Sequence, residues 1–224
     1  DADVMQRKEL FRETLSAFKA GKIDILIGTQ MIAKGLHFPN VTLVGIINAD
    51  LGLHIPDFRA GERTFQLLTQ VSGRSGRQTA GKVIIQTYDT EHVSIKHAMN
   101  TDFAGFAEAE LSERRELLYP PFWRMAMARI NASTESAGQS AGQRLVERAR
   151  ALQKQFSAYE NSIQVLGPAR APLFKLRNRY RYQVVIKCDN AAKINPFCRQ
   201  LLGDGHWIPK GTKVQIDIDP FAML

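Results

Sequence analysis

No Gly-x-x-x-x-Gly-Lys-[Ser/Thr] phosphate loop occurs anywhere in this 224-residue sequence, and no acidic Walker B box is present to hold magnesium. The chain by itself is therefore expected to hydrolyse no nucleotide. Cysteine is scarce: Cys188 and Cys198 are the whole complement. Two thiols at that spacing exclude a zinc cluster or a disulfide framework, and buried free thiols in a reducing cytoplasm are expected. No apolar run approaches the roughly eighteen residues that span a bilayer, and the first residues, Asp-Ala-Asp-Val-Met-Gln-Arg-Lys, lack the apolar centre of a signal peptide. His54, His92, His97 and His206 have no metal-ligand spacing, so no metal site is expected in this chain.

What is present divides in two. Hydrophobic residues make up 44% of the chain, enough for real cores, and its length allows one large domain or two ordinary ones. Residues 1–124 carry fifteen basic and fifteen acidic side chains, so the whole surplus of +8 falls on residues 125–224. That asymmetry implies a second domain with a polyanionic or acidic partner.

The order of elements differs between the halves. A helical pattern at Leu10, Phe11, Leu15 and Phe18 ends at Gly21. Apolar runs at 23–29 and 41–47 read as strands covered on both faces of a parallel sheet and 83–88 as a third strand, with helices at 59–71 and 92–100. A long helix over 102–118 stops at Pro120-Pro121, which places the domain boundary at 120/121. Residues 121–224 then read strand, long helix, two strands, helix, strand. The expected fold class is thus α/β with a parallel sheet over 1–120, followed by an α+β domain of ferredoxin-like βαββαβ order.

The densest motif is Gln70-Val-Ser-Gly-Arg74-Ser-Gly-Arg77. At a helix end, two arginines three apart share a face, and the glycines let backbone approach whatever the guanidiniums hold. Forked donors at that spacing suit a polyphosphate. A lone Gly-Arg pair would be a solvated helix end; a doubled pair with the glutamine is not so easily dismissed. Upstream, Thr29-Gln30-Met-Ile-Ala-Lys34-Gly35 follows an apolar run, at the strand end where open α/β sheets bind ligands. Thr29 and Gln30 can hydrogen-bond a phosphate backbone and Gly35 allows close approach, although an ordinary strand-to-helix turn accounts for this stretch equally well.

Together these two motifs resemble the fifth and last conserved motifs of superfamily 2 helicases. With Pro56-Asp-Phe-Arg-x-x-Glu-Arg63, the Glu113-Arg-Arg and Tyr119-Pro-Pro-Phe122 segments and the Asp217-Ile-Asp-Pro220 end, the whole chain is similar to the C-terminal portion of the bacterial primosomal replication-restart helicases. It departs from related helicases at His37, where they commonly carry aspartate.

The resemblance implies a RecA-like second helicase lobe, including the trailing helix, and a basic C-terminal domain. It implies that Arg74 and Arg77 act as fingers on ATP held with Mg2+ by a preceding lobe, that Gly35 lies beside the nucleotide, and that Gln70 positions the nucleotide or its water. Thr29, Gln30 and Lys34 would sense the DNA strand, and zinc is expected only upstream. The activity implied is an ATP-dependent, 3′-to-5′ DNA helicase of the bacterial cytoplasm and nucleoid. Its implied partners are forked and single-stranded DNA, the single-stranded-DNA-binding protein and other primosome proteins, with no membrane.

In the second domain, Arg170, Lys175, Arg177, Arg179 and Arg181 lie within twelve residues free of acid, interleaved with Phe174, Tyr180 and Tyr182. In extended chain Arg177, Arg179 and Arg181 would form one row. Such a row fits single-stranded nucleic acid, an acidic peptide tail, or merely a solvated hairpin arm. Two other function classes stay open: a non-enzymatic nucleic-acid or protein-binding module, and another superfamily 2 helicase acting on RNA.

Overall fold

The computed structural model describes residues 2–29, 41–72 and 82–223, with side chains from Glu9 onward. By its contacts the chain divides into one unit of Asp1–Ile55 and Arg59–Glu108 and another of Pro56–Phe58 and Ala109–Leu224.

The first unit holds α1 (Ala2–Lys19), β1 (Leu43–Ile46), α2 (Asp50–Leu53), α3 (Ala60–Ser72), β2 (Lys82–Ile85), α4 (Val93–Met99) and the start of α5 (Phe103–Glu116). The strands β1 and β2 pair in parallel, Leu43 opposite Lys82 and Ile46 opposite Ile85. Along α3 the buried residues are Ala60, Thr64, Phe65 and Leu68, a helical stripe. That stripe packs with Ala49, Ile95, Ala98 and Phe106, and Ile46 and Ile85 of the strands lie against the same cluster.

Two expectations are corrected here. Residues 23–29 form no strand, and Ile25 and Ile27 are 77% and 85% exposed. An apolar β-branched run favours a strand only where a neighbour pairs its backbone and covers its side chains; among the described residues β1 pairs with β2 alone. Nor is β1 covered on both faces: burial alternates along it, leaving Leu43 exposed.

The second unit runs β3 (Arg124–Ala132), α6 (Glu135–Gln155), α7 (Ser157–Glu160), β4 (Ile163–Leu176), β5 (Arg179–Cys188), α8 (Ala191–Leu202) and β6 (Thr212–Ile218). Its four strands are antiparallel in the order β4-β5-β3-β6. Local chemistry sets the helix ends. The Thr134 hydroxyl accepts from Ala137 N and the Asn190 side chain from Ala192 N, each an N-cap. Gly203, at φ 55°, closes α8.

Alternating residues Ala126, Ala128 and Ile130 of β3 and Val184 and Ile186 of β5 meet Leu145, Ala149, Ile194, Phe197 and Leu201 of the helices. Phe197 is fully buried, a burial that stabilises by about 2–3 kcal/mol. Cys188 and Cys198 lie in this core as free thiols, and burial pushes Cys198 up to about 12. Both are inert core residues.

Candidate functional site

In the first unit the candidate site is the carboxyl end of the parallel strand pair and the helix above it. Backbone pairing continues past the strands: Gln86 N donates to Ile46 O and Ala49 N to Gln86 O. Asp50 then locks the two chain exits together. Its Oδ1 accepts from the Thr87 hydroxyl at 2.7 Å and its Oδ2 from Tyr88 N at 3.1 Å. The Thr87 hydrogen bond holds this carboxyl below the usual carboxylate range, against the opposing effect of burial and with help from Tyr88 N–H.

The helix α3 is fixed over this floor by Phe65 and Leu68 and by the buried Ser94, whose hydroxyl donates to Gly61 O at 2.9 Å. Near its far end the Thr69 and Ser72 hydroxyls donate to the carbonyls of Phe65 and Leu68. Gln70 sits half-buried on that last stretch, immediately before the double-arginine motif in sequence. Thr29 is exposed. Gln30, Lys34, Gly35, Arg74 and Arg77 lie outside the described residues. Asp50, Thr87 and Ser94 escaped the sequence reading, because a lone aspartate after an apolar run carries no motif. The available signal was an acidic residue at a strand end that has to be satisfied if buried.

In the second unit the basic residues gather on the β4–β5 hairpin, but not as a single row. Arg177 and Asn178 occupy its turn with φ of 48° and 59°, a left-handed pair of the kind that matches a hairpin's twist. Arg177 therefore leaves the strand face that Arg179 and Arg181 share. The exposed Arg179 donates from Nη1 to Gly211 O at 2.8 Å, and Arg181 is half-buried. Lys175 places its Nζ 4.9 Å from the centroid of the Tyr180 ring. Arg170 is committed elsewhere. It donates to Glu135 at 2.7 Å and stacks 4.6 Å over Phe174, with Tyr182 first and Glu135 second holding it protonated.

The polar face of β5 continues onto β3 and β6, where Arg129 bonds Asp217 at 2.9 Å and Ala222 O at 2.7 Å. Between Arg129, Leu173, Arg181 and Met223 there is a cavity of about 10 Å3, room for a water and nothing larger. This surface presents the exposed Lys175, Arg177 and Arg179 beside the half-buried rings of Phe174 and Tyr180, with Tyr182 buried beneath. Trp207 takes no part: its indole donates to Leu202 O at 2.9 Å, anchoring a loop. Among the described residues no group of three or more His, Cys, Asp or Glu side chains could hold a metal ion, and no helix is long and apolar enough to cross a membrane.

Comparison with known proteins divides the chain similarly. The profile of the helicase conserved C-terminal domain matches residues 3–79, and that of the primosomal protein N C-terminal domain matches residues 115–221. Over its full length the chain is 42% identical to the replication restart protein PriA of Bacillus subtilis (strain 168), covering 28% of that protein. It is 38% identical to the protein of the same name from Treponema pallidum (strain Nichols), again over its full length, covering 33% of it. With the one from Synechocystis sp. (strain ATCC 27184 / PCC 6803 / Kazusa) it shares 34% identity over its full length and 26% of that relative. The chain thus spans a third or less of the length of these relatives. A solved structure, the de novo designed protein Foldit4, covers 43% of this chain at a TM-score of 0.32, too slight a likeness to bear on the fold.

Proposed function

The chain belongs to the PriA family of replication restart proteins, and from that membership we propose that it completes the ATP site and supplies a DNA-binding domain of an ATP-dependent, 3′-to-5′ DNA helicase. In this reading the first unit is a RecA-like second lobe and the second unit a ferredoxin-like domain. The observation that carries it is α3: a helix whose buried residues share a core with Ile46 and Ile85 of the two parallel strands, bearing Gln70 and leading in sequence straight into Arg74 and Arg77.

The work divides between this chain and a preceding lobe that holds the phosphate loop. Arg74 and Arg77 bring forked positive charge to the γ-phosphate as negative charge shifts during transfer. Gln70 orients the nucleotide or its attacking water, and Gly35 admits the backbone beside the nucleotide. Thr29, Gln30 and Lys34 bind the DNA backbone and couple its presence to closure of the lobes. Magnesium, held by the preceding lobe, neutralises phosphate charge when bound; zinc belongs further upstream. The hairpin residues Lys175, Arg177, Arg179 and Arg181 hold single-stranded or forked DNA, or the acidic tail of the single-stranded-DNA-binding protein. The assembly acts in the bacterial cytoplasm, on the nucleoid, with other primosome proteins.

The test is Arg74→Ala in the full-length protein with forked DNA. Turnover of ATP is expected to fall by about 10³-fold or more while DNA affinity stays within about twofold. Unchanged turnover would remove the arginine-finger role and favour a non-enzymatic binding module.

A further inference from the structure

The two outer strands of the second unit's sheet end it in opposite ways. On one side β4 carries Pro168 and Pro172, and its pairing with β5 shifts between Leu166 and Ala169 and again between Arg170 and Lys175. Prolines without N–H groups and a broken register make an edge unfit for further pairing. On the other side β6 has neither. Its seven residues, Thr212-Lys-Val-Gln-Ile-Asp-Ile218, contain no proline and pair with β3 without a shift, Thr212 opposite Ala132 and Ile218 opposite Ala126.

Hydrogen bonds at the two ends of β6 fix which main-chain groups face outward. Ser133 N donates to Gly211 O and Asp219 N to Met125 O. In an antiparallel ladder bonded pairs recur at every second residue, so Lys213, Gln215 and Asp217 bond β3. The N–H and C=O groups of Val214, Ile216 and Ile218 point away from the sheet, and no main-chain bond among the described residues reaches them. The side chains alternate as well. Val214, Ile216 and Ile218 are half-buried against the helical core, while Lys213, Gln215 and Asp217 are exposed on the opposite face.

The strand is complementary to itself. Set antiparallel to a second β6 with Val214 opposite Ile216, it pairs through those outward groups, each such pair exchanging both its hydrogen bonds. Lys213 of each copy then lies opposite Asp217 of the other, and Gln215 opposite its own counterpart. These are the positions between bonded pairs, where side chains come closest. A lysine on an edge ordinarily repels a second copy of itself; here the antiparallel direction brings it to an aspartate. Lys213 has no ion-pair partner among the described residues, and the Asp217 carboxylate is 49% exposed and bonds Arg129 through Oδ2. On the core face, Val214 meets Ile216 of the other copy, which covers two half-buried side chains further.

We infer that the outer edge of β6 is an interaction surface for a second copy of this chain, the two joined about a two-fold axis at Gln215 into one eight-stranded antiparallel sheet. The same patch serves both copies, as a two-fold contact requires. A contact built on one strand pair is small, so the association is reversible and depends on concentration. This inference goes beyond the ATP-site and DNA-binding roles proposed above and does not rest on them.

The experiment follows the mass of the full-length protein by sedimentation velocity from about 1 to 100 μM, the range of small specific contacts. Wild type is expected to shift from monomer towards dimer. Lys213→Glu, which sets like charges opposite each other twice, should raise the dissociation constant about tenfold or more, while Lys213→Arg stays within about threefold. Val214→Pro removes an outward N–H without touching the β3 ladder, and should abolish the dimer while the far-UV circular dichroism is kept. Gln215→Cys reads the register: with oxidised glutathione it should form an intermolecular disulfide, whereas Gln143→Cys, exposed on α6, should give no more than the parent protein. A mass that stays monomeric throughout would overturn the inference, as would a dimer indifferent to both Lys213→Glu and Val214→Pro. Equal cross-linking of the two cysteine variants would do the same. If the protein stays monomeric and a different partner protein slows amide exchange at Val214 and Ile216, the edge serves that partner and the second copy is overturned.

Discussion

Asp50 and Thr87, 37 residues apart, are joined by a 2.7 Å hydrogen bond from hydroxyl to carboxylate, which closes the ends of two parallel strands over a buried charge. Because this bond and the one from Tyr88 N favour the ionised form, the folded-state value is depressed. Its contribution to stability is complete above the unfolded carboxylate value, about 4, and is lost as pH falls through the folded value. Asp50→Asn should lower the urea midpoint at neutral pH, since a neutral amide with one acceptor oxygen replaces a carboxylate that accepts from both Thr87 and Tyr88 N. It should also flatten the acid limb of the stability curve. Urea titrations between pH 3 and 7 read both effects, and an unchanged acid limb would remove Asp50 from the linkage.

Lys187 should produce a slope of the same sign at the alkaline end. Burial lowers its value below that of a free lysine, so between the folded and unfolded values the unfolded chain binds more protons and stability rises with pH. The same interval should be flat in Lys187→Met, which keeps the volume and loses the charge. Denaturant midpoints from pH 8 to 10.5 compare the two, and parallel slopes would mean the ammonium is better solvated than its cover by Tyr119 and Leu117 implies.

Helices were the legible part of this fold, since their ends are written locally. Thr134 and Asn190 cap α6 and α8, Gly203 closes the latter, and apolar residues at helical spacing mark the buried face of α3. Strands were less legible because their existence is decided by a distant partner. Residues 23–29 look like a strand and are not one, whereas β4 continues past the apolar 163–166 run to Leu176. Bulges between Leu166 and Ala169 and between Arg170 and Lys175 absorb Pro168 and Pro172, residues that ordinarily argue against a strand. Asp50 and Lys187 were not legible, because an acid and a lysine acquire their meaning only from Thr87 and Leu117, each far away in sequence.

Gly142 lies where α6 packs tightly on Pro168 of β4. A Cβ placed there would stand 2.7 Å from Pro168 Cβ and 3.2 Å from its Cγ. A proline ring cannot swing aside, so Gly142→Ala forces helix and strand apart despite alanine's better helix propensity. The expected loss is about 1–3 kcal/mol, read from urea unfolding. A gain of stability would show that the helix shifts freely over β4.

The hairpin makes a prediction that separates charge for binding from charge for folding. Arg177, Arg179 and Arg181 replaced together by alanine should weaken single-stranded DNA binding and reduce the salt dependence of affinity by about two units, at roughly 0.7 per lost phosphate contact. Arg170→Ala is the contrasting variant, because its guanidinium already bonds Glu135 and covers Phe174. It should leave the salt slope in place and instead lower the urea midpoint slightly, as for other exposed pairs. Full-length protein titrated with labelled forked DNA at several salt concentrations gives both slopes. An unaltered slope in the triple variant would assign the hairpin to a protein partner, and a peptide carrying an acidic tail would then be the ligand lost on mutation.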